Sequence, residues 1–455
     1  MSLIFSLPVI LEESKKEYET IKAAASSSEP FFPVEQVNDR EGALPNMLVH
    51  GDNLAFIQYL MREKGLEGKL RLVYMDPPFY SKASYDAVIR LKSRKIPDDC
   101  AIKPTAYDDS WKTGIEDYLR MLCIRLFLAR DLLDEDGCCW VHLDWHAVHY
   151  VKILMDEIFG QRNFVNEIIW NYKSGGTGKR NFSRKHDTLL FYGKTSGHYF
   201  HPLQEKSYNR GYKPYCFKGV QEYEDELGWY TLVNMKDVWQ IDMVGRTSSE
   251  RTGYATQKPE QLLCQIVESC TRPGDLCADF FGGSGTLAAA AQSLGRHWIS
   301  CDMGGIAMAC CLQRMAQKKS GFTVLQMRPD PWGDALELDV KIEQLRGADE
   351  KKVTITLRAY HGRMDRIGLK DQERETVEAF LRQDSLQLLA YWSVDFHYDG
   401  KTHRPEVSFP KAKEEIETVC ERRGRDIHKI SVRTVDVFGG TTLKVLDLSS
   451  WERSR

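Results

Sequence analysis

Apolar and polar positions along the chain alternate between two periods. Short apolar runs of strand length are followed by longer stretches in which apolar residues recur every three to four positions, the repeat of a helix packed on one side. Met47-Leu48-Val49-His50 predicts a strand, Leu54 to about Lys64 a helix, and Leu72-Val73-Tyr74-Met75 a second strand. The pattern then predicts an amphipathic helix over Ile115 to Leu133, a strand over Cys138 to Leu143, a helix over Ala147 to Phe159, and strands over Asn166 to Tyr172 and His186 to Tyr192. It returns with a helix opened by Pro259 and ending near Cys270, a strand from Leu276 to Phe281, an alanine-rich helix from Leu287 to Leu294, and a strand from Trp298 to Cys301. Strands alternating with helices imply an α/β fold with a parallel sheet.

Four stretches fall outside this pattern. Residues 1–46 read as a leading arm with a helix over Glu17 to Ala25. Ser81 to Ala106 is polar, weakly periodic and long for a connection, so it reads as a mobile excursion. Gly193 to about Gly253 is irregular and rich in Tyr, Lys and Glu, the best candidate for a substrate-reading insert. After Met327 the pattern stops, and a domain boundary is expected near residue 328. Beyond it, Lys352 to Arg358, Tyr391 to His397, Ile430 to Val437 and Thr441 to Leu446 read as strands, and Gln372 to Leu389 and Pro410 to Arg423 as helices, together a small α+β domain over 329–455.

Composition narrows the classes. A chain of 455 residues has room for two cores or more. With a net charge of −3 the protein carries no general basic coat, so contacts to nucleic acid must be local. No apolar run approaches the roughly 18 residues of a membrane span, and the first residues lack the basic start of a secretion signal. The twelve cysteines form no C-x-x-C pair, which points to reduced thiols in a cytoplasm and away from zinc. His142, His146 and His149 lack a second ligand set and read as core or helix-surface positions, so no metal is expected.

Three stretches carry chemistry. Asp76-Pro77-Pro78-Phe79 follows a buried strand, and the two prolines make a stiff loop that holds a carboxylate and an aromatic ring just beyond a strand end. An acceptor beside an aromatic face suits a flat base with an exocyclic amine. Asp279-Phe280-Phe281-Gly282-Gly283-Ser284-Gly285-Thr286 joins a strand to a helix, and the next strand ends at Asp302. Glycines let the backbone approach a ligand, and an acid at the second strand end can accept from ribose hydroxyls. Gly283 to Ala288 also fits the dinucleotide fingerprint G-x-G-x-x-A, which by itself does not separate NAD from S-adenosylmethionine. Asp52, before the first helix, reads as an N-cap. Between Lys173 and Lys185 lie five basic residues, Lys173, Lys179, Arg180, Arg184 and Lys185, with interleaved glycines and no acid, a composition suited to phosphate contacts.

Asp-Pro-Pro-Phe, then Thr256-Gln257-Lys258-Pro259, then Asp-Phe-Phe-Gly-Gly-Ser-Gly-Thr resemble the amino-DNA methyltransferases of the β class over roughly Met47 to Lys318. Arg125-Leu126, Asp136-Gly137 and the basic loop before His186-Asp187 extend the likeness, and the middle section looks most like modification subunits of type III restriction systems. The resemblance implies a seven-stranded, mostly parallel Rossmann-like sheet with one reversed strand, and methyl transfer from S-adenosyl-L-methionine to the exocyclic nitrogen of a base flipped from duplex DNA. It assigns Asp76, Pro77, Pro78 and Phe79 to catalysis, and Asp52, Lys258, Pro259, Asp279, Phe281, Gly282, Gly283, Ser284, Gly285, Thr286 and Asp302 to the cofactor. Lys258 and Pro259 would lie over the methionine moiety and Asp52 near the adenine. Asp rather than Ser at position 76 favours adenine N6 over cytosine N4. DNA is the expected partner, with a separate restriction or defence subunit and a homodimer as further expectations. The doubled glycine departs from the family pattern and leaves the geometry of that turn open.

Overall fold

The computed structural model describes residues 3–448 apart from 25–28, 39–45, 174–178, 328–334, 345–349, 363–370 and 413–414. The expected boundary at residue 328 and the centre of the basic loop lie outside the described residues.

The body of the molecule is one ten-stranded sheet. In chain order its strands are β1 (Phe32–Val37), β2 (Met47–His50), β3 (Leu70–Met75), β4 (Leu133–Leu143), β5 (Phe164–Asn171), β6 (His186–Gly193), β7 (Val238–Gln240), β8 (Leu276–Asp279), β9 (His297–Asp302) and β10 (Phe322–Gln326). Their spatial order is β1-β10-β2-β9-β8-β3-β4-β6-β5-β7. Seven contiguous strands, β2-β9-β8-β3-β4-β6-β5, reproduce the expected sheet: all are parallel except β6, which runs against both neighbours. The expectation omitted three edge strands: β10 parallel to β2, β1 antiparallel to β10, and β7 parallel to β5.

Both faces of the central strands are buried, which explains their near-continuous apolar runs. Val73 and Met75 of β3 pack in one core with α1 (Leu3–Ala23), α2 (Asn53–Arg62), α3 (Ile115–Leu132) and α4 (Val148–Met155). Leu72 and Tyr74 point the other way, into a core with α5 (Glu260–Cys270), α6 (Thr286–Ser293) and α7 (Gly305–Gln317). The leading residues therefore belong to the main body. Their helix is much longer than expected because its first half, with Leu7 and Ile10 buried, packs against the helix layer of α3 and α4.

The rest of the chain forms a third core. Two sheets, one of strands 336–344, 351–360 and 419–424 and one of 389–395, 407–410, 429–436 and 441–447, pack with α8 (Asp371–Leu381). The helix expected over Pro410 to Arg423 is absent from its described residues; Val419–Gly424 is a strand paired with Lys351–Tyr360, so cross-strand pairing overrides a helix-forming composition. The Ser81 to Ala106 excursion is likewise ordered. It makes two antiparallel pairings, Ser84–Asp86 with Thr105–Asp108 and Ile89–Ser93 with Ile96–Ile102, and buries Leu91, Cys100 and Ile102 in the third core. Its weak periodicity reflects short strands whose few apolar residues are spent on a distant partner.

A buried polar cluster ties β1 to the C-terminal sheet. Glu35 is fully buried; its carboxylate pairs with Arg433 and accepts from Tyr391 Oη at 2.7 Å and Ser393 Oγ at 2.8 Å. His403 sits between Ser393 and Ser431, and burial lowers its pKa to about 4, so it is neutral. Removing one partner of a buried pair strands the other charge. Arg433→Met should cost about 3–5 kcal/mol by that principle, read by chemical denaturation followed by tryptophan fluorescence, with Glu35→Gln in the same chain restoring most of it; a loss below roughly 1 kcal/mol would show the pair to be solvated.

Candidate active site

The carboxyl ends of adjacent parallel strands open into a cavity of about 520 Å³, in the range of small-molecule sites. Asp76 follows β3, Asp144 follows β4, Asp279 ends β8, Asp302 ends β9 and Asp52 follows β2 by two residues; all line it, with Asp187 at the start of the reversed strand β6.

The Asp76 carboxylate is central. Lys258 Nζ donates to its Oδ2 at 2.5 Å, and the Lys258 side chain is itself only 9% exposed. The other oxygen, Oδ1, is buried and has no hydrogen-bond partner; His142 Nδ1 stands 3.9 Å away. Lys258 Nζ also lies 5.1 Å from the centroid of the Phe79 ring, whose opposite neighbour is His142 at 5.7 Å. His142 is fully buried, shares a hydrogen bond with Tyr74 Oη at 2.9 Å and reaches Asp187 Oδ2 at 3.2 Å, while Tyr172 Oη donates to Asp187 Oδ1 at 3.0 Å. Burial raises the Asp187 carboxyl, but the hydrogen bond and charge of His142 prevail and its pKa ends below the usual range.

The glycine turn forms the neighbouring wall. The Asp279 Oδ1 accepts the Phe281 N–H at 2.9 Å, and burial pushes this carboxyl well above its ordinary pKa. Asp302 accepts the Gly283 N–H at 2.8 Å and the Gly304 N–H at 2.7 Å, which pins the turn to the end of β9; burial raises its carboxyl too. A Cβ on Gly282 would overlap Ser300 Oγ, so that position needs glycine for close approach to β9. Gly285 has φ +74° and a Cβ there would strike Cys311 Sγ. Of the doubled pair whose geometry was left open, Gly282 fits against β9, while Gly283, at φ +49°, lies against the Tyr254 ring, which a Cβ there would meet at 3.2 Å.

Asp76, Pro77, Pro78, Phe79, Asp52, Lys258, Asp279, Phe281, Gly282, Gly283, Ser284, Thr286 and Asp302 thus come together around one space. Two assigned residues lie outside its lining: Pro259 is the N-cap of α5, and Gly285 is the N-cap of α6, packed on α7. The Lys258 ammonium sits on the carboxylate of Asp76. Asp52 serves as the N-cap of α2, accepting from Ala55 N–H at 2.9 Å, and still lines the cavity, 3.5 Å from Arg125. Of the basic group, Lys173 lies 3.9 Å from Asp242, Lys179 and Arg180 are exposed, Arg184 stacks on the Trp145 ring at 3.9 Å, and Lys185 is half-buried; none of the five lines the cavity. Trp170, Tyr172, Tyr254 and Asp144 were not singled out from sequence, although an acid directly after a predicted strand signalled Asp144.

Behind the Pro-Pro loop, Asp109 is fully buried and accepts four hydrogen bonds: from Tyr80 N–H at 3.0 Å, Ser81 N–H at 2.7 Å, Ser81 Oγ at 2.7 Å and Trp111 Nε1 at 2.9 Å. Tyr80, Lys82 and Trp111 have φ of +62°, +59° and +42°, conformations unfavourable for such residues unless held.

Fold and site together define an α/β protein with a glycine turn and a buried carboxylate acceptor facing one cavity at the carboxyl ends of its parallel strands. A family model described as DNA methylase, N6_N4_Mtase, matches residues 70–307, and the chain belongs to that family. Membership makes S-adenosyl-L-methionine its cofactor and DNA its substrate. Over 334 residues the chain is 27% identical to the type II methyltransferase M.EcaI of Enterobacter cloacae, covering 60% of this chain and 70% of that protein. It is 29% identical over 192 residues to the type II methyltransferase M1.MboII of Moraxella bovis, covering 38% and 70%. Among solved structures, the M1.HpyAVI–SAM complex aligns with TM-score 0.38 and 17% identity over 59% of this chain and 98% of that one. The PvuII cytosine-N4-specific DNA methyltransferase aligns with TM-score 0.41 and 17% identity over 63% and 90%. These relatives lend no support to a specific likeness to type III modification subunits.

Asp109→Ala should release the Pro-Pro loop. Methyl transfer to DNA is expected to fall at least tenfold in kcat while cofactor affinity, read by calorimetry, changes by less than about threefold; an equal loss in both would mean that Asp109 merely supports the fold.

Proposed function

We propose that this chain transfers a methyl group from S-adenosyl-L-methionine to the exocyclic N6 of an adenine flipped out of duplex DNA, in a restriction-modification or defence system. The observation that carries the reading is the buried, unpartnered Asp76 Oδ1 beside the Phe79 ring, in the same cavity as the glycine turn. A buried acceptor without a donor is costly unless a ligand supplies one, and an exocyclic amine supplies it.

The residues present fit the cofactor. The turn at Gly282 and Gly283 offers backbone without side chains, and Asp302 stands at the next strand end where ribose hydroxyls are accepted. When bound, S-adenosyl-L-methionine supplies a methyl group activated on a sulfonium. The protein supplies the rest. The lone pair of an exocyclic amine is delocalised into the ring, and acceptance of its hydrogens by Asp76 and the Pro77 carbonyl favours a nitrogen able to attack. Lys258, bonded to Oδ2, turns Oδ1 toward the amine, and Pro77 and Pro78 keep the loop stiff so that little reorganisation is needed. Phe79 offers its face to the base. Adenine is preferred because the resemblance links Asp at position 76 to N6 chemistry.

The same reading gives the DNA duplex two contact regions. Lys173, Lys179, Arg180, Arg184 and Lys185 take phosphates. Residues 193–253 read sequence; their three-stranded sheet of Gln204–Tyr208, Tyr223–Asp225 and Gly228–Asn234 exposes Tyr212, Tyr215 and Phe217 nearby. The C-terminal α+β part, a restriction or defence subunit on another chain, and a homodimer complete the proposal.

Single-molecule sequencing of DNA from a methylation-free host expressing the protein tests it. N6-methyladenine at one short motif is expected; N4-methylcytosine would overturn the base assignment and keep the mechanism, since both bases present an exocyclic amine. Asp76→Ala should lower kcat by at least 100-fold while cofactor affinity by calorimetry stays within about tenfold; an active variant would remove Asp76 from the chemistry.

A further inference from the structure

We propose that Phe182 is a wedge that enters the DNA stack beside the target and fills the space left by the extruded base. The proposal rests on the base-flipping reading above. Phe182 is 99% exposed, the highest value among the exposed large hydrophobic residues described. Such a ring contributes nothing to the core, and its whole apolar area is free to be buried against a partner.

Its surroundings identify the partner. Lys179, Arg180, Arg184 and Lys185 flank it, and no acid lies between Lys173 and Lys185, so the local charge suits a polyanion although the whole chain is acidic. The position is also set. Tyr172 N–H donates to Lys185 O at 3.0 Å, which closes the base of the loop at a residue that lines the cavity. Arg184 stacks 3.9 Å over the ring of Trp145, and Trp145 follows Asp144, another lining residue. Phe182 is two residues from Arg184, so its Cα lies within roughly 7 Å of that anchor. An apolar tip with cationic flanks therefore stands on a loop anchored at Tyr172, which lines the cavity, and at Trp145, next to the lining residue Asp144.

The energetics give the ring a task. Extruding a paired base costs a few kcal/mol of stacking and pairing, and apolar side chains inserted between base steps offset such losses in other DNA-bending proteins. Lys179 and Arg180 would hold the flanking phosphates, as positioning contacts do, while Phe182 stacks on the bases on either side of the gap.

The test uses the full chain and two duplexes containing the motif found by sequencing, one fully paired and one with an abasic site opposite the target base. Phe182→Ala should lower kcat/KM on the paired duplex at least tenfold and reduce the fluorescence of 2-aminopurine placed at the target. On the abasic duplex, where nothing must be unpaired, it should stay within threefold of the unsubstituted protein. Phe182→Leu should restore most of the paired-duplex activity, and cofactor affinity should not change. Full activity of Phe182→Ala on paired DNA overturns the wedge, as does an equal loss on both duplexes, which would make Phe182 an ordinary binding contact. An unsubstituted protein that modifies neither duplex overturns the methylation reading itself, and the wedge with it.

Discussion

The ion pair between Lys258 and Asp76 is the interaction on which the site depends. It joins the end of β3 to the segment before α5, residues separated by most of the catalytic half of the chain, and it is made where water is largely excluded. A lysine this buried needs an anion, and a carboxylate this buried needs a cation. The requirement fixes the register between the Pro-Pro loop and the cofactor turn, because Thr286 at the start of α6 also bonds the Lys258 carbonyl, at 3.3 Å. One residue thus couples the Asp76 carboxylate to the glycine turn, the two places where the proposed chemistry puts the amine and the methyl donor.

The loop is held from its other side by Asp109, and here the sheet and the C-terminal part meet. Asp109 closes the hairpin region that begins at Ser81, and the far end of that region is buried in the third core. Ser93 Oγ donates to Asp384 Oδ2 at 2.6 Å, and Arg94 lies 2.6 Å from Glu415. A second contact runs through Gly439, whose turn packs directly on Gly305, three residues beyond Asp302. The C-terminal part therefore packs on the hairpins that follow the Pro-Pro loop and on the start of α7, just beyond Asp302. Rigid support at both places is what a methyl transfer relying on alignment requires.

Much of this was legible in the sequence, and the misses share a cause. Strands such as β3 and β8 are buried on both faces, so their apolar runs are unambiguous, and the glycine turn and Pro-Pro loop announce themselves by backbone chemistry that few other residues can satisfy. The residues that were missed depend on partners far away in sequence. Asp109 gives no local sign that it will cap a loop, and Leu91, Cys100 and Ile102 look like isolated apolar residues until the third core is assembled. The segment after Pro410 has helix-forming composition, and only the vacant edge beside Lys351–Tyr360 makes it a strand. Lys258 was recognisable as a site residue, yet its target could not be read without the sheet order that brings β3 beside β8.

Charge distribution decides between the two cofactors that the glycine fingerprint left open. Asp52, Asp76, Asp144, Asp187, Asp279 and Asp302 line the cavity, against only Lys258 and Arg125 as cations, and each of those is already beside a carboxylate. A pyrophosphate placed there would add negative charge to an enclosed acidic site, with no free cation among the described lining residues to receive it. A sulfonium cofactor adds positive charge instead and eases the repulsion that helps raise the Asp279 carboxyl. Lys173, Lys179, Arg180, Arg184 and Lys185, the basic residues proposed to meet DNA, stand outside the cavity lining, on the loop between β5 and β6. Under the proposed reading, acid in the cavity and base on a separate loop let a chain of net charge −3 hold a cationic methyl donor and a polyanionic substrate at once.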